Sequence, residues 1–175
     1  RAERKAHMHA FGNTHYWLDP ENARPITAAI AAALCEVRQA ECARFEADRQ
    51  RFLRELEAKI PGWKRALTPY RGERLVVMHD SWAYFADYFG LEIVAAVEPT
   101  PGVPPAAAEL AALFARMRQA HIRVLVAEPD SDPALVRQVA ERSGARAVTL
   151  LPSALDYFHL FDENVARLAQ ALSEP

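Results

Sequence analysis

The residues able to do chemistry in this chain are histidines and acids that stand where apolar runs stop. Leu75-Val-Val-Met78 is followed by His79-Asp80-Ser81, Leu91 to Val97 by Glu98-Pro99, and Ile122 to Ala127 by Glu128-Pro129. Neutral imidazole is the commonest protein ligand for a divalent metal, and a carboxylate such as Asp80 can hold its other ring nitrogen. A carboxylate joining two or three imidazoles completes a four-coordinate zinc site of mixed N and O donors. His15, in the polar stretch Gly12-Asn-Thr-His-Tyr-Trp-Leu-Asp-Pro20, is a second imidazole, just before a helix start. Each residue also has a plainer reading: a half-buried histidine closing a strand, a loop histidine, a solvated loop acid. His7 and His9 make a loose His-Met-His pair, His121 precedes an apolar run at the wrong edge, and His159 falls on the exposed side of a terminal helix. Asp130 and Asp132 are accounted for by helix capping, with Asp132 at the cap.

Other chemistries are disfavoured. The six glycines form neither GxGxxG nor GxxxxGK[ST], which removes the usual phosphate cradles. There is no GxSxG elbow; Ser81 is read as a helix cap and Ser153 as a loop residue. Lys and Arg total 21 against 23 Asp and Glu, a net charge of −2, so no nucleic-acid partner is expected. The longest apolar runs are far too short to cross a bilayer as a helix. Cys35 and Cys42, two turns apart on one helix face, would be separated by roughly 10 Å, beyond disulfide reach. They are expected as buried or half-buried thiols.

The elements that must position these groups follow from the spacing of apolar residues. Asp19-Pro20 caps a helix carrying Ile26, Ile30, Leu34 and Val37. A second helical pattern runs from Gln39 to Leu67, roughly 40 Å, with Phe45, Phe52, Leu53, Leu56 and Ile60 as its stripe. Pro61-Gly62 is expected to kink or interrupt it. Leu75–Met78, Leu91–Val97, Ile122–Ala127 and Ala147–Leu151 read as short buried strands. Between and after them lie helices over Ser81–Phe89, Ala106–Ala120, from Asp132-Pro133 to Gly144, and Tyr157–Leu172. Glu98 to Pro105 holds four prolines and is expected to be extended. The alternation predicts an α/β fold, a four-stranded, mostly parallel sheet with flanking helices. Ligands of such sheets sit beyond the carboxyl ends of the strands, where His79, Glu98 and Glu128 fall.

Two long stretches carry a family resemblance. Asn13-Thr-His-Tyr-Trp-Leu-Asp-Pro-Glu-Asn22 resembles the Asn-Pro-His-x-Trp-Leu-Asp-Pro-Glu-Asn stretch of the zinc/manganese-binding periplasmic components of ABC transporters. His79-Asp-Ser-Trp-Ala-Tyr-Phe-Ala-Asp-Tyr-Phe-Gly-Leu91 is similar to that family's His-x-Ser/Ala-x-x-Tyr-Phe-Ala-x-x-Tyr-Gly-Leu. Glu98 to Pro105, Ala127-Glu-Pro129 and Asp156 to Asn164 follow in the family's order. The resemblance implies two α/β lobes joined by a long helix, with one metal ion in the cleft between them. Residues 1–18 would be the tail of the first lobe with its metal-site loop. Residues 19–69 would be a helical segment including the interlobe helix, and 70–175 the C-terminal α/β lobe. The polar beginning at Arg1 then reads as loop sequence within a longer protein, whose first lobe would hold one further histidine.

The implied function is capture of Zn²⁺, with Mn²⁺ as runner-up, and its delivery to an ABC permease. The implied protein is a non-enzymatic monomer, periplasmic or otherwise extracytoplasmic, with a lipoprotein anchor as one form. His15 and His79 match the family's histidine positions. The acid usual after the last strand is replaced by Leu151, and Glu128 at the neighbouring strand end is the substitute candidate. Imidazole donors favour zinc, whereas more carboxylates tilt a site toward manganese. Two alternatives stay open: a metal-dependent hydrolase with Glu128 or Asp80 as base, and a surface adhesion protein whose metal site has degenerated.

Overall fold

The computed structural model describes residues 13–99, 103 and 105–174. His7, His9 and the centre of the proline-rich connection lie outside the described residues. Two 3-10 turns, Tyr16–Leu18 and Pro20–Asn22, lead into α1 (Ala23–Val37), and Asp19 accepts from the Glu21 N–H as anticipated for a cap. A 3-10 turn at Gln39–Glu41 then opens α2 (Cys42–Leu67). After it come β1 (Arg74–Val77), α3 (Ala83–Phe89), β2 (Glu92–Ala96), α4 (Ala107–Gln119), β3 (Val124–Ala127), α5 (Pro133–Ser143), β4 (Arg146–Thr149) and α6 (Tyr157–Ser173).

The strands form one sheet in the order β2-β1-β3-β4, and all three pairings are parallel. Side chains alternate between its faces. Leu75, Val77, Val124 and Val126 point into a core shared with Leu56, Ile60 and Trp63 of α2, Phe85 and Phe89 of α3, and Phe161 and Leu168 of α6. Val76, Met78, Leu125 and Ala127 meet Leu113, Phe114 and Met117 of α4 and Val139 of α5 on the other side. Helices thus cover both faces, as a sheet of near-continuous apolar strands requires. Phe161 is fully buried and stacks on Trp63 at 4.8 Å between ring centroids. Truncating such a residue to alanine costs about 3–5 kcal/mol. Asp162 beside it ties α6 to α2, accepting from Trp63 Nε1 at 2.8 Å and from Lys59.

Three expectations need correction. First, α2 is not interrupted at Pro61. Leu53, Leu56, Ile60, Trp63 and Leu67 are all buried at helical spacing and hold the helix on the core. Pro61 lies on the exposed side, so the carbonyl that loses its N–H partner faces water. Second, Cys35 and Cys42 form a disulfide with 4.8 Å between their Cα atoms. They are not on one helix: Arg38, at φ −137° and ψ 68°, ends α1 and folds it back on α2. Helical rise therefore does not apply between the two cysteines. Third, Ser81 does not cap α3, whose N-cap position is Trp82.

The apolar stripe of α1 also lies outside the core: Ile30, Leu34 and Val37 are 54 %, 41 % and 80 % exposed. The buried residues of this helix are the small Ala23 and Ala31. The short helix α3 stops at Gly90, whose φ of +73° closes the last turn through N–H bonds to the carbonyls of Ala86 and Asp87.

Candidate metal centre

The carboxyl ends of β1, β2 and β3 bring three functional groups together. Each strand carries on by a residue or two in hydrogen-bonded register: Met78 N donates to Val126 O (2.8 Å) and Glu98 N to Met78 O (2.9 Å). His79 follows β1 in the middle of the sheet, with Glu98 beyond β2 on one side and Glu128 beyond β3 on the other. Its Nε2 lies 2.9 Å from Glu98 Oε2 and its Nδ1 3.0 Å from Glu128 Oε2. The side chains are 12 %, 11 % and 6 % exposed for His79, Glu98 and Glu128, so the charges interact with little solvent between them.

Glu128 is the most constrained of the three. Its Oε1 accepts from the indole N–H of buried Trp82 at 2.9 Å, and its backbone N–H donates to Ser131 Oγ at 2.9 Å. Burial pulls the His79 pKa down, but hydrogen bonds and charge from Glu128 and Glu98 outweigh it, and the net direction is up. The expected partner for the ring, Asp80, is not the acid on either nitrogen. Its carbonyl oxygen instead accepts from Asn13 Nδ2 at 2.7 Å.

That contact brings in the His15 segment. Asn13 Oδ1 accepts from the His15 backbone N–H at 2.9 Å and lies 3.0 Å from His15 Nδ1. When Nδ1 carries the ring proton, the lone pair is on Nε2, the nitrogen suited to a metal. The segment is pinned at a second point. Trp17 Nε1 donates to Pro152 O and the Tyr157 hydroxyl to Trp17 O, both at 2.9 Å. The His15 loop is therefore tied to the loops that follow β1 and β4.

Among the described residues, one group of ligand atoms lies mutually within 4.8 Å: His79, Glu128 and Asp130. His15 is not a member of it. Asp130 is the residue that reading the sequence as capping acids missed; Asp132 does cap α5, accepting from Ala134 N–H. Glu98 was recognisable only as one strand-end acid among others, because its closeness to His79 depends on strand order. Leu151 stands in the loop after β4, its backbone N–H and carbonyl both bonded to the Asn164 side chain at 2.8 Å. His121 and His159 are exposed and are not members of that group.

In chemistry, the site offers imidazole and carboxylate donors at the mouth of a parallel sheet, a mixed N/O set that suits zinc. Known proteins are similar to this chain in sequence and in fold. A family model described as "Zinc-uptake complex component A periplasmic" (ZnuA) matches residues 1–171. The high-affinity zinc uptake system protein ZnuA of Brucella abortus (strain 2308) is 26 % identical over 163 residues, covering 91 % of this chain and 49 % of that protein. Its counterpart in Paracoccus denitrificans (strain Pd 1222) is 33 % identical over 132 residues, covering 75 % of this chain and 40 % of that protein. The crystal structure of a 138–173 deletion mutant of ZnuA with zinc bound superposes with a TM-score of 0.82 at 26 % identity, over 94 % of this chain and 62 % of that one. The chain spans about half the length of the Brucella relative. With nearly its whole length matched, it belongs to the periplasmic zinc-uptake component A (ZnuA) family.

Proposed function

We propose that this chain is part of an extracytoplasmic binding protein that captures Zn²⁺, with Mn²⁺ as second choice, and hands it to an ABC permease. In this reading His15 and His79 supply imidazole donors, and one of the two acids flanking His79 supplies the carboxylate, Glu128 being the candidate named from the sequence and Glu98 the other. A further histidine would come from a first lobe outside this sequence. The observation that carries the reading is His79 at the centre of the sheet's carboxyl edge. It is clamped between two nearly buried acids, and the His15 loop is bound to the residue that follows it. A buried imidazole with acids on both nitrogens is a costly arrangement for a merely structural residue, and an ordinary one around a cation.

The disulfide supports the compartment independently of any relative. Cys35–Cys42 is the pairing expected of a protein that matures outside the reducing cytosol. The relatives named above are zinc-uptake proteins and agree with a transport role without turnover. Monomeric state and lipid anchoring belong to the same proposal.

Isothermal titration of the natural full-length protein tests it. One zinc ion should bind per molecule, and His79→Ala should abolish the tight phase while leaving the circular dichroism spectrum unchanged. Absence of zinc binding in the unaltered protein, or unchanged affinity in His79→Ala, would overturn it.

A further inference from the structure

Leu151 stands where relatives are expected to place their closing acid, so the metal-capture reading lacks a carboxylate ligand of settled identity. Two acids touch His79, and distance does not separate them: 2.9 Å from Nε2 to Glu98 and 3.0 Å from Nδ1 to Glu128. Donor atoms sharing one tetrahedral zinc, at bonds of about 2.0–2.2 Å, lie about 3.3 Å apart. Either pair would need to open by only a few tenths of an ångström.

The remaining partners do separate them. Both carboxylate oxygens of Glu128 are committed, one to Trp82 Nε1 and one to His79 Nδ1. Glu98 has one oxygen at His79 Nε2, and its other oxygen accepts no hydrogen bond from the described residues and keeps contact with solvent. A ligating histidine almost always donates its non-ligating N–H to a fixed acceptor, the role for which Glu128 is built. We propose that Glu98 is the carboxylate that binds the cation, beside His79 Nε2, and that Glu128 is a positioning residue that sets the ring's tautomer and angle through Nδ1. This rests on the metal-capture reading. It moves the acid from the loop after β4 to the end of β2, the strand that flanks β1 on the side away from Glu128.

The competing placement puts the cation on the Nδ1 side, where Asp130 completes a group with His79 and Glu128. Cobalt distinguishes the two, because its visible bands report the atoms bound to it. In the natural full-length protein, Glu98→Gln, Glu98→Asp, Glu128→Gln and Asp130→Asn are compared with the unaltered chain. The measurements are Co²⁺ spectra and zinc affinity by chelator competition. Glu128→Gln should weaken zinc about 10–100-fold, as an outer partner does, with the cobalt band positions kept. Glu98→Gln should weaken it further and shift the bands, Glu98→Asp should restore the bands at reduced affinity, and Asp130→Asn should change neither measurement. Unchanged affinity and bands in Glu98→Gln, or shifted bands in Glu128→Gln or Asp130→Asn, would overturn the assignment while leaving metal capture intact. Failure of the unaltered protein to bind zinc would overturn both.

Discussion

Replacing both Cys35 and Cys42 by serine isolates the contribution of the disulfide to the α1–α2 hairpin. The hairpin has little core of its own: α1 buries only Ala23 and Ala31, while Ile30, Leu34 and Val37 are exposed. The cysteines are separated by 7 in sequence. Closure entropy for a loop this short gives about 2.5 kcal/mol of stabilisation by the cross-link. Spread over a protein of this size, that is a fall of about 5–10 °C in Tm. The loss should be local as well as global. Hydrogen exchange in the last turns of α1 should quicken by more than in α2, whose buried stripe packs on the sheet and α6. Zinc affinity should stay within about threefold, since Cys35 lies about 18 Å of helical rise beyond the start of α1, away from the His15 loop. Non-reducing and reducing melts, with a thiol count on the denatured protein, give the readout. A variant Tm within 1–2 °C of that of the unaltered protein, with a thiol count on the unaltered protein that confirms its bond, would refute the view that the break at Arg38 leaves α1 dependent on its cross-link.

Two further outcomes test the scaffold. Asp162 feels burial that raises its pKa, but hydrogen bonds from Lys59 and Trp63 outweigh this and hold it below the ordinary carboxylate value. Its stabilisation is therefore full above the unfolded pKa of about 3.9 and fades as pH falls through the lower folded value. Asp162→Asn should cost about 1 kcal/mol at neutral pH, a figure reduced for the pair's exposure, and the difference in urea midpoints should vanish in acid. A constant difference down to pH 2 would contradict that account. Gly90→Ala should cost about 1–2 kcal/mol, because φ is +73° and the added methyl would meet the Arg71 guanidinium at 3.1 Å. A urea midpoint equal to that of the unaltered protein would exclude strain at this cap.

Much of the fold was legible because period and punctuation agreed. The runs Leu75–Met78 and Val124–Ala127 are buried on both sides, so they are apolar without alternation, and Asp132-Pro133 and Gly144 bracket α5 as local rules require. Where local rules failed, longer-range packing decided. Pro61 was tolerated because its neighbours on the opposite side were buried, and the chain reversal at Arg38 has no glycine or proline to announce it. The site was partly legible for the same reason. Strand ends pointed to His79, Glu98 and Glu128, but which acid meets which ring nitrogen depends on the order β2-β1-β3, which periodicity does not contain. Trp82 was unreadable as a site residue: an indole in an aromatic-rich helix start looks like core, and it is core at 2 % exposure, yet its N–H holds Glu128.

The loop after β4 keeps its shape without help from the side chain at 151. Asn164, fully buried on α6, bonds both the N–H and the carbonyl of Leu151, so the path of that loop is set by an amide two turns into a helix and not by the side chain at 151. The carbonyl of the next residue, Pro152, then receives Trp17, which anchors the His15 loop. Because these contacts run through backbone atoms, a change of side chain at 151 leaves the His15 loop where it was. β1 is central and has a neighbour on each side, so His79 can meet an acid from either one. The proposed ligand therefore asks nothing new of the fold, only a glutamate at the end of β2 with an oxygen to spare.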